Sequence, residues 1–168
     1  MRILGIDPGL GCTGYAVVDL DAKGGPPRLV EAGAIRSDDQ RPLPERLVQL
    51  HREVTEIIEE LRPEVLAIED LYTEYRFPRT ALLMAHARGA ICLAAAQQGM
   101  PVWNYPPSQV KSAVVGNGAA SKEQVQAMVT RIFGLAQVPT PNDVADAMAI
   151  ALTGHRRGPA VARAKALK

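Results

Sequence analysis

Residues 3–19 read ILGIDPGLGCTGYAVVD, two β-rich runs around a Pro8-Gly9-Leu10-Gly11 turn. The spacing predicts strands over 2–7 and 13–19, paired as an antiparallel hairpin. A strand as apolar as Ile3-Leu4-Gly5-Ile6 belongs inside a sheet, yet it ends on a carboxylate, Asp7. A second turn, Lys23-Gly24-Gly25-Pro26-Pro27, leads to a third strand over 28–35. From there helix and strand alternate. Leu47, Leu50, Val54, Ile57, Ile58 and Leu61 recur at helical spacing, which predicts an amphipathic helix over 43–61, stopped by Pro63. Residues 65–69 form a short apolar strand that again ends on an acid, Glu69. An Ala-rich helix follows over 80–98, closed by Gly99, and then a fifth strand over 102–105. Three consecutive strands followed by this alternation predict an α/β fold. It is a five-stranded mixed sheet flanked by helices, with the first three strands antiparallel and the later ones parallel to the first.

The remainder supplies three more helices. SQVKSAVVGNG predicts a short helix and a glycine turn, and Ser121 caps a helix that runs to about 133, with Glu123 in its first turn. The last helix is expected to start at Thr140-Pro141 and to end near His155. The closing RRGPAVARAKALK holds five basic residues and no acid. The organisation read from this is one domain over 1–156 and a mobile basic tail over 157–168.

At 168 residues the chain has enough length for a real core. Its longest apolar run, near 90–96, falls far short of the ~20 residues that span a bilayer. No signal peptide opens it, and a cytoplasmic location without membrane attachment is expected. Cys12 and Cys92 are isolated thiols, which fits a reducing compartment and argues against structural zinc. The net charge of +1 conceals an asymmetry. Residues 1–74 carry 8 Lys/Arg against 15 Asp/Glu, a balance of −7, and residues 75–168 carry 11 against 3, a balance of +8. A basic half suits a polyanionic partner such as nucleic acid.

Groups at the carboxyl ends of parallel neighbours converge on one crevice, and Asp7 and Glu69 both hold that place. The final helix adds Asp143 and Asp146, three apart and so on one face. Its other residues are apolar nearly all round, which predicts burial, and a buried, unpaired carboxylate costs several kcal/mol or takes up a proton. Each acid has a plain alternative. Asp143 lies three residues after Thr140 and suits a capping box, and Asp146 suits a distant salt bridge. Asp7 suits a turn ahead of Pro8-Gly9, and Glu69 a strand end facing water. Taken together, four carboxylates without histidine or cysteine are hard oxygen ligands for magnesium or manganese. Two such ions can drive phosphodiester hydrolysis by activating water and stabilising the leaving oxygen.

The chain resembles the RuvC family of bacterial Holliday-junction resolvases, within the RNase H-like superfamily. The likeness spans roughly residues 2–156 and includes GIDPG with TGYAVVD, AIED, HARGA, QVKSAVVGNGAASKEQVQAMV and NDVADAMAIA. It implies a metal-dependent, structure-specific endonuclease that acts as a homodimer on four-way junctions. Paired symmetric nicks would leave 5′-phosphate and 3′-hydroxyl ends, and the RuvAB branch-migration complex would be a partner. Asp7, Glu69, Asp143 and Asp146 match the family's catalytic, metal-holding acids, with two ions per site. Lys111 and Lys122 match lysines that face DNA, the alternative being solvated helix lysines. Tyr72 falls where the family carries an aromatic against the crossover, and Arg76 and Arg79 are assigned to the same DNA surface. His86, where glutamine is expected, and Arg79 depart from the family pattern. The best candidate dimer surface is the apolar face of the 80–98 helix, unless later helices cover it. Two other readings stand beside this one: a junction-binding protein without catalysis, and an actin-like-fold phosphotransferase that uses the DPGLGCTG hairpin for ATP.

Overall fold

The computed structural model describes residues 1–21, 25–70 and 78–166. The order of elements is β1 (Arg2–Asp7), β2 (Cys12–Asp19), β3 (Arg28–Arg36), α1 (Leu43–Leu61), β4 (Val65–Glu69), α2 (Pro78–Gln97), β5 (Val102–Tyr105), α3 (Pro107–Val115), α4 (Lys122–Ile132) and α5 (Asn142–Ala166). The strands form one sheet in the order β3-β2-β1-β4-β5. β1–β2 and β2–β3 are antiparallel, while β1–β4 and β4–β5 are parallel. This is the expected mixed sheet, with β1 at its centre because both halves of the chain pair with it.

Alternation along each strand divides the core into two layers. Leu4, Ile6, Val17, Leu66 and Ile68 face α1 and α2, where they meet Leu50, Val54, Ile58, Ala87 and Ile91. Ile3, Ala16, Val18, Val65 and Ala67 face the other way, against α3, α4 and α5. Asp7 shares the parity of Ile3 and Gly5, and Glu69 that of Val65 and Ala67. Period-two geometry therefore sends both acids to the α5 side.

Helix α5 lies directly on the sheet, and two glycines set how closely. A Cβ on Gly5 would stand 2.4 Å from the Ala147 carbonyl oxygen, and one on Gly14 would stand 1.9 Å from that of Asp143. The small side chains of Ala147 and Ala151 continue this contact, and Val144, Ala145 and the run from Ala147 to Leu152 are buried.

Two expectations need correction. α5 does not end near His155 but continues to Ala166. The alanine-rich run after Pro159 is made of good helix formers, and reading the segment by charge alone overlooked this. The capping-box alternative for Asp143 also loses its frame, because α5 begins at Asn142 and the residue before it is Pro141 rather than Thr140. The capping box lies on α4 instead. There the Ser121 hydroxyl accepts from the Gln124 amide, and the Gln124 side chain accepts from Ser121 N–H. Among the described residues no helix is long and apolar enough to cross a membrane.

Candidate active site

Asp7 ends β1 and Glu69 ends β4, and the Ile6–Ile68 register brings them side by side at the carboxyl edge of the sheet. Asp7 also pairs across the hairpin with Gly14. Because Gly14 has no side chain, the backbone of Asp143 settles over that pair, and Asp146 follows one turn later on the same face. The four acids thus come from three elements that meet at the carboxyl edge of the sheet.

Their electrostatics record the crowding. Burial, reinforced by the charges of Asp146, Glu69 and Asp143, pushes the Asp7 carboxyl up to about 7, with Lys122 opposing. Burial and the charge of Asp146 push Glu69 up to about 7 as well, opposed by Lys122 and Lys111. Burial also raises Asp146, despite a hydrogen bond from Lys122 that pulls it down. These are the marks of carboxylates held together without enough positive charge. Asp7 and Glu69 are both partly buried at the ends of their strands.

Both sequence-identified lysines reach the cluster. Lys122, the first residue of α4, places Nζ 2.6 Å from Asp146 Oδ2. Burial lowers its pKa, but the hydrogen bond to Asp146 and the nearby acids outweigh that and raise it. Lys111 on α3 lines, with Glu69, Lys122, Asp146 and Val110, a cavity of about 220 Å³. Arg79 is exposed in the first turn of α2. Tyr72 and Arg76 lie outside the described residues.

A supporting residue escaped the sequence reading. Arg88 of α2 donates from Nε to the Glu69 carbonyl (3.3 Å) and from Nη2 to Asp70 Oδ1 (3.4 Å) and Asn104 Oδ1 (2.5 Å). It therefore ties the tips of β4 and β5 to α2, just behind Glu69. The available signal was its isolation as the only charged residue between 80 and 98.

The donor chemistry fits a hard divalent cation. Four carboxylates face two ammonium groups, which leaves two formal negative charges and only oxygen donors. As the side chains stand, no three His, Cys, Asp or Glu among the described residues converge to hold an ion. Asp146 is turned to Lys122 instead.

Comparison with known proteins agrees with this geometry. The family model described as Crossover junction endodeoxyribonuclease RuvC matches residues 3–155. A protein of that name from Rhodopirellula baltica is 50% identical over 155 residues, covering 91% of this chain and 85% of its own length. The Thermus thermophilus RuvC structure superimposes with a TM-score of 0.87 at 39% identity, covering 95% of this chain and 96% of that one. The T. thermophilus RuvC structure in complex with Holliday junction substrate gives 0.85 at 36% identity, with the same coverage. The five-stranded sheet carrying four strand-end and helix acids is therefore an RNase H-like nuclease domain, and the chain belongs to the RuvC family of crossover junction endodeoxyribonucleases.

Proposed function

We propose that this chain resolves four-way (Holliday) DNA junctions by magnesium-dependent hydrolysis of paired, symmetric phosphodiesters, with Asp7, Glu69, Asp143 and Asp146 as its catalytic, metal-holding residues. The observation that carries the reading is the meeting of these four half-buried acids with Lys111 and Lys122 at one edge of the sheet. A family member that shares the fold at 36% identity is known in complex with Holliday junction substrate. The phosphotransferase and non-catalytic readings give way to family membership together with a complete set of acids.

Two magnesium ions, with manganese as substitute, would supply the activation of water and the stabilisation of the leaving oxygen. The chain's own part is to present oxygen ligands on rigid elements, to keep them dry beneath α5, and to bring two ammonium groups toward the phosphate. Phosphate contacts from the basic half would position the duplex arms, and structure rather than sequence would be read first. Products with 5′-phosphate and 3′-hydroxyl ends follow from water attack at phosphorus with departure of the 3′ oxygen. The reading also includes action in recombination and repair, a cytoplasmic location and cooperation with RuvAB.

A single carboxylate cluster cuts one strand, so symmetric resolution calls for two copies. The candidate face is open. Later helices pack on the opposite side of the sheet, leaving Leu82 62% and Leu93 53% exposed on α2 beside Val48 of α1, 68% exposed. These helices border a groove of about 710 Å³ that includes Leu47, His86 and Ala90. An isologous dimer through this face would hold two sites at fixed separation.

The test is incubation with a labelled four-way junction and a matching linear duplex, with magnesium or with EDTA. The expected result is magnesium-dependent nicking of the junction in opposed strands, with ends that ligase seals. Binding without cleavage in either magnesium or manganese would refute the enzymatic reading.

A further inference from the structure

The Lys122–Asp146 contact has an unusual position for a salt bridge, because both partners already have other work in the reading above. The carboxylate is the fixed partner, with a side chain only 21% exposed on a buried helix, while the lysine side chain is 53% exposed. The backbone of Lys122 is also held, since it follows the Ser121 N-cap and its capping box with Gln124. Only the flexible lysine stem is free to swing, and the cavity of about 220 Å³ between α3, α4 and α5 gives it room.

We propose that Lys122 is an internal competitor for the divalent cation, occupying Asp146 Oδ2 until metal and a substrate phosphate exchange it. The inference rests on the reading of the four acids as metal ligands and adds a residue that controls when they load. A protonated ammonium has no lone pair and cannot join a coordination shell. At 2.6 Å it already occupies Asp146 Oδ2, and a divalent ion brought to that oxygen would meet a like charge at contact distance. The neighbouring acids Asp7 and Asp143 act on Lys122 as well and favour its charged form. While this contact stands, no three acids among the described residues are grouped to hold an ion.

The consequence is linkage. Apparent cation affinity is the intrinsic affinity multiplied by the fraction of molecules in which Asp146 is free. A phosphate that draws Lys122 away from Asp146 raises that fraction, and a cation that displaces Lys122 frees it for phosphate. The two bindings therefore assist one another by the same factor. A nuclease built this way loads its cations most readily when DNA backbone is present.

Mn2+ titration of the full chain without DNA at pH 8, followed by the electron paramagnetic resonance of the free ion, tests this. Wild type is compared with Lys122→Met, Lys122→Gln, Lys111→Met and Asp7→Asn, each checked for folding by circular dichroism. Lys111 lines the same cavity, and its charge acts on Glu69, so it controls for the loss of positive charge in general. Both Lys122 variants are expected to bind Mn2+ about tenfold more tightly than wild type, and Lys111→Met no more than about twofold. Equal gains at the two lysines would reduce the effect to background charge and overturn the proposal. Unchanged or weaker binding by the Lys122 variants, with Asp7→Asn still losing Mn2+, would overturn it while leaving the ligand assignment intact. Titrations in which Asp7→Asn matches wild type would remove the ligand assignment and the proposal with it.

Discussion

At the residue scale, Asp7 carries the most concentrated conflict between stability and function. Its carboxyl and that of Glu69 sit near 7, well above the ordinary carboxylate range of about 4, because burial and neighbouring acids oppose their charge. Between those limits the unfolded chain has released protons that the fold retains, so the metal-free protein loses stability as pH rises from about 4 to 7. Asp7→Asn keeps the shape and removes one charge. In EDTA at pH 8 its melting temperature is expected to exceed that of wild type, with the advantage shrinking toward pH 5.5. Junction cleavage in magnesium is expected to fall by at least about a thousandfold, with binding largely kept, since a carboxylate does not attract the phosphate backbone and its loss removes no cationic contact. A melting temperature below wild type at both pH values would show that the acids are not in conflict. Lys111 offers a second measurement. If it meets phosphate, Lys111→Ala will lower the slope of log affinity against log salt by about one.

At the scale of elements, the docking of α5 on β1 and β2 decides whether the acids meet. Gly14 has no space for even a methyl group, since its Cβ would lie 1.9 Å from the Asp143 oxygen and 2.3 Å from its carbonyl carbon. These are backbone atoms of a buried helix, so they give way only if α5 shifts. Gly14→Ala is expected to destabilise by about 3 kcal/mol, at the upper end of ordinary overpacking, as measured by urea denaturation. It should also cut junction cleavage at temperatures where the variant remains folded, because Asp143 and Asp146 move with the helix. Full activity in a destabilised but folded variant would separate the docking of α5 from the geometry of the site.

For the whole molecule, the sheet has two unequal sides. One is covered by α3, α4 and α5 and carries the four acids, while the other is covered by α1 and α2 and keeps apolar side chains in water. Light scattering is expected to give about 36 kDa, twice the 18.0 kDa chain. Leu82→Glu combined with Leu93→Glu should yield a folded monomer, because both side chains are already more than half exposed. That monomer should nick junctions singly rather than in pairs. A monomeric wild type at micromolar concentration, free and on junction DNA, would rule out the dimer. The basic segment makes a separate claim. The buried core positions of α5 include Val144 and the run from Ala147 to Thr153, so deleting residues 158–168 is expected to leave the melting temperature within a few degrees while lowering DNA affinity most at low salt.

Local pattern in the chain determined a good deal. Alternation and helical spacing placed all five strands and five helices, and the order of elements set the mixed sheet. Acids at the ends of two parallel neighbours, with a third and fourth on an apolar helix, marked a candidate site, because burying charge without purpose is costly. What that pattern does not carry is distance between segments far apart in sequence. That Gly5 and Gly14 admit α5 to the sheet, that Lys122 grips Asp146, and that Arg88 braces Glu69 from the opposite layer all depend on how finished elements pack. The same holds for the open face of α2. Its sequence is apolar nearly all round, and only the passage of the later helices to the far side of the sheet decides which part stays in water. The end of α5 at Ala166 follows from propensity, in a run of good helix formers, and not from the charge of that segment. Periodicity reports which side of an element is buried, and tertiary packing alone decides what it is buried against.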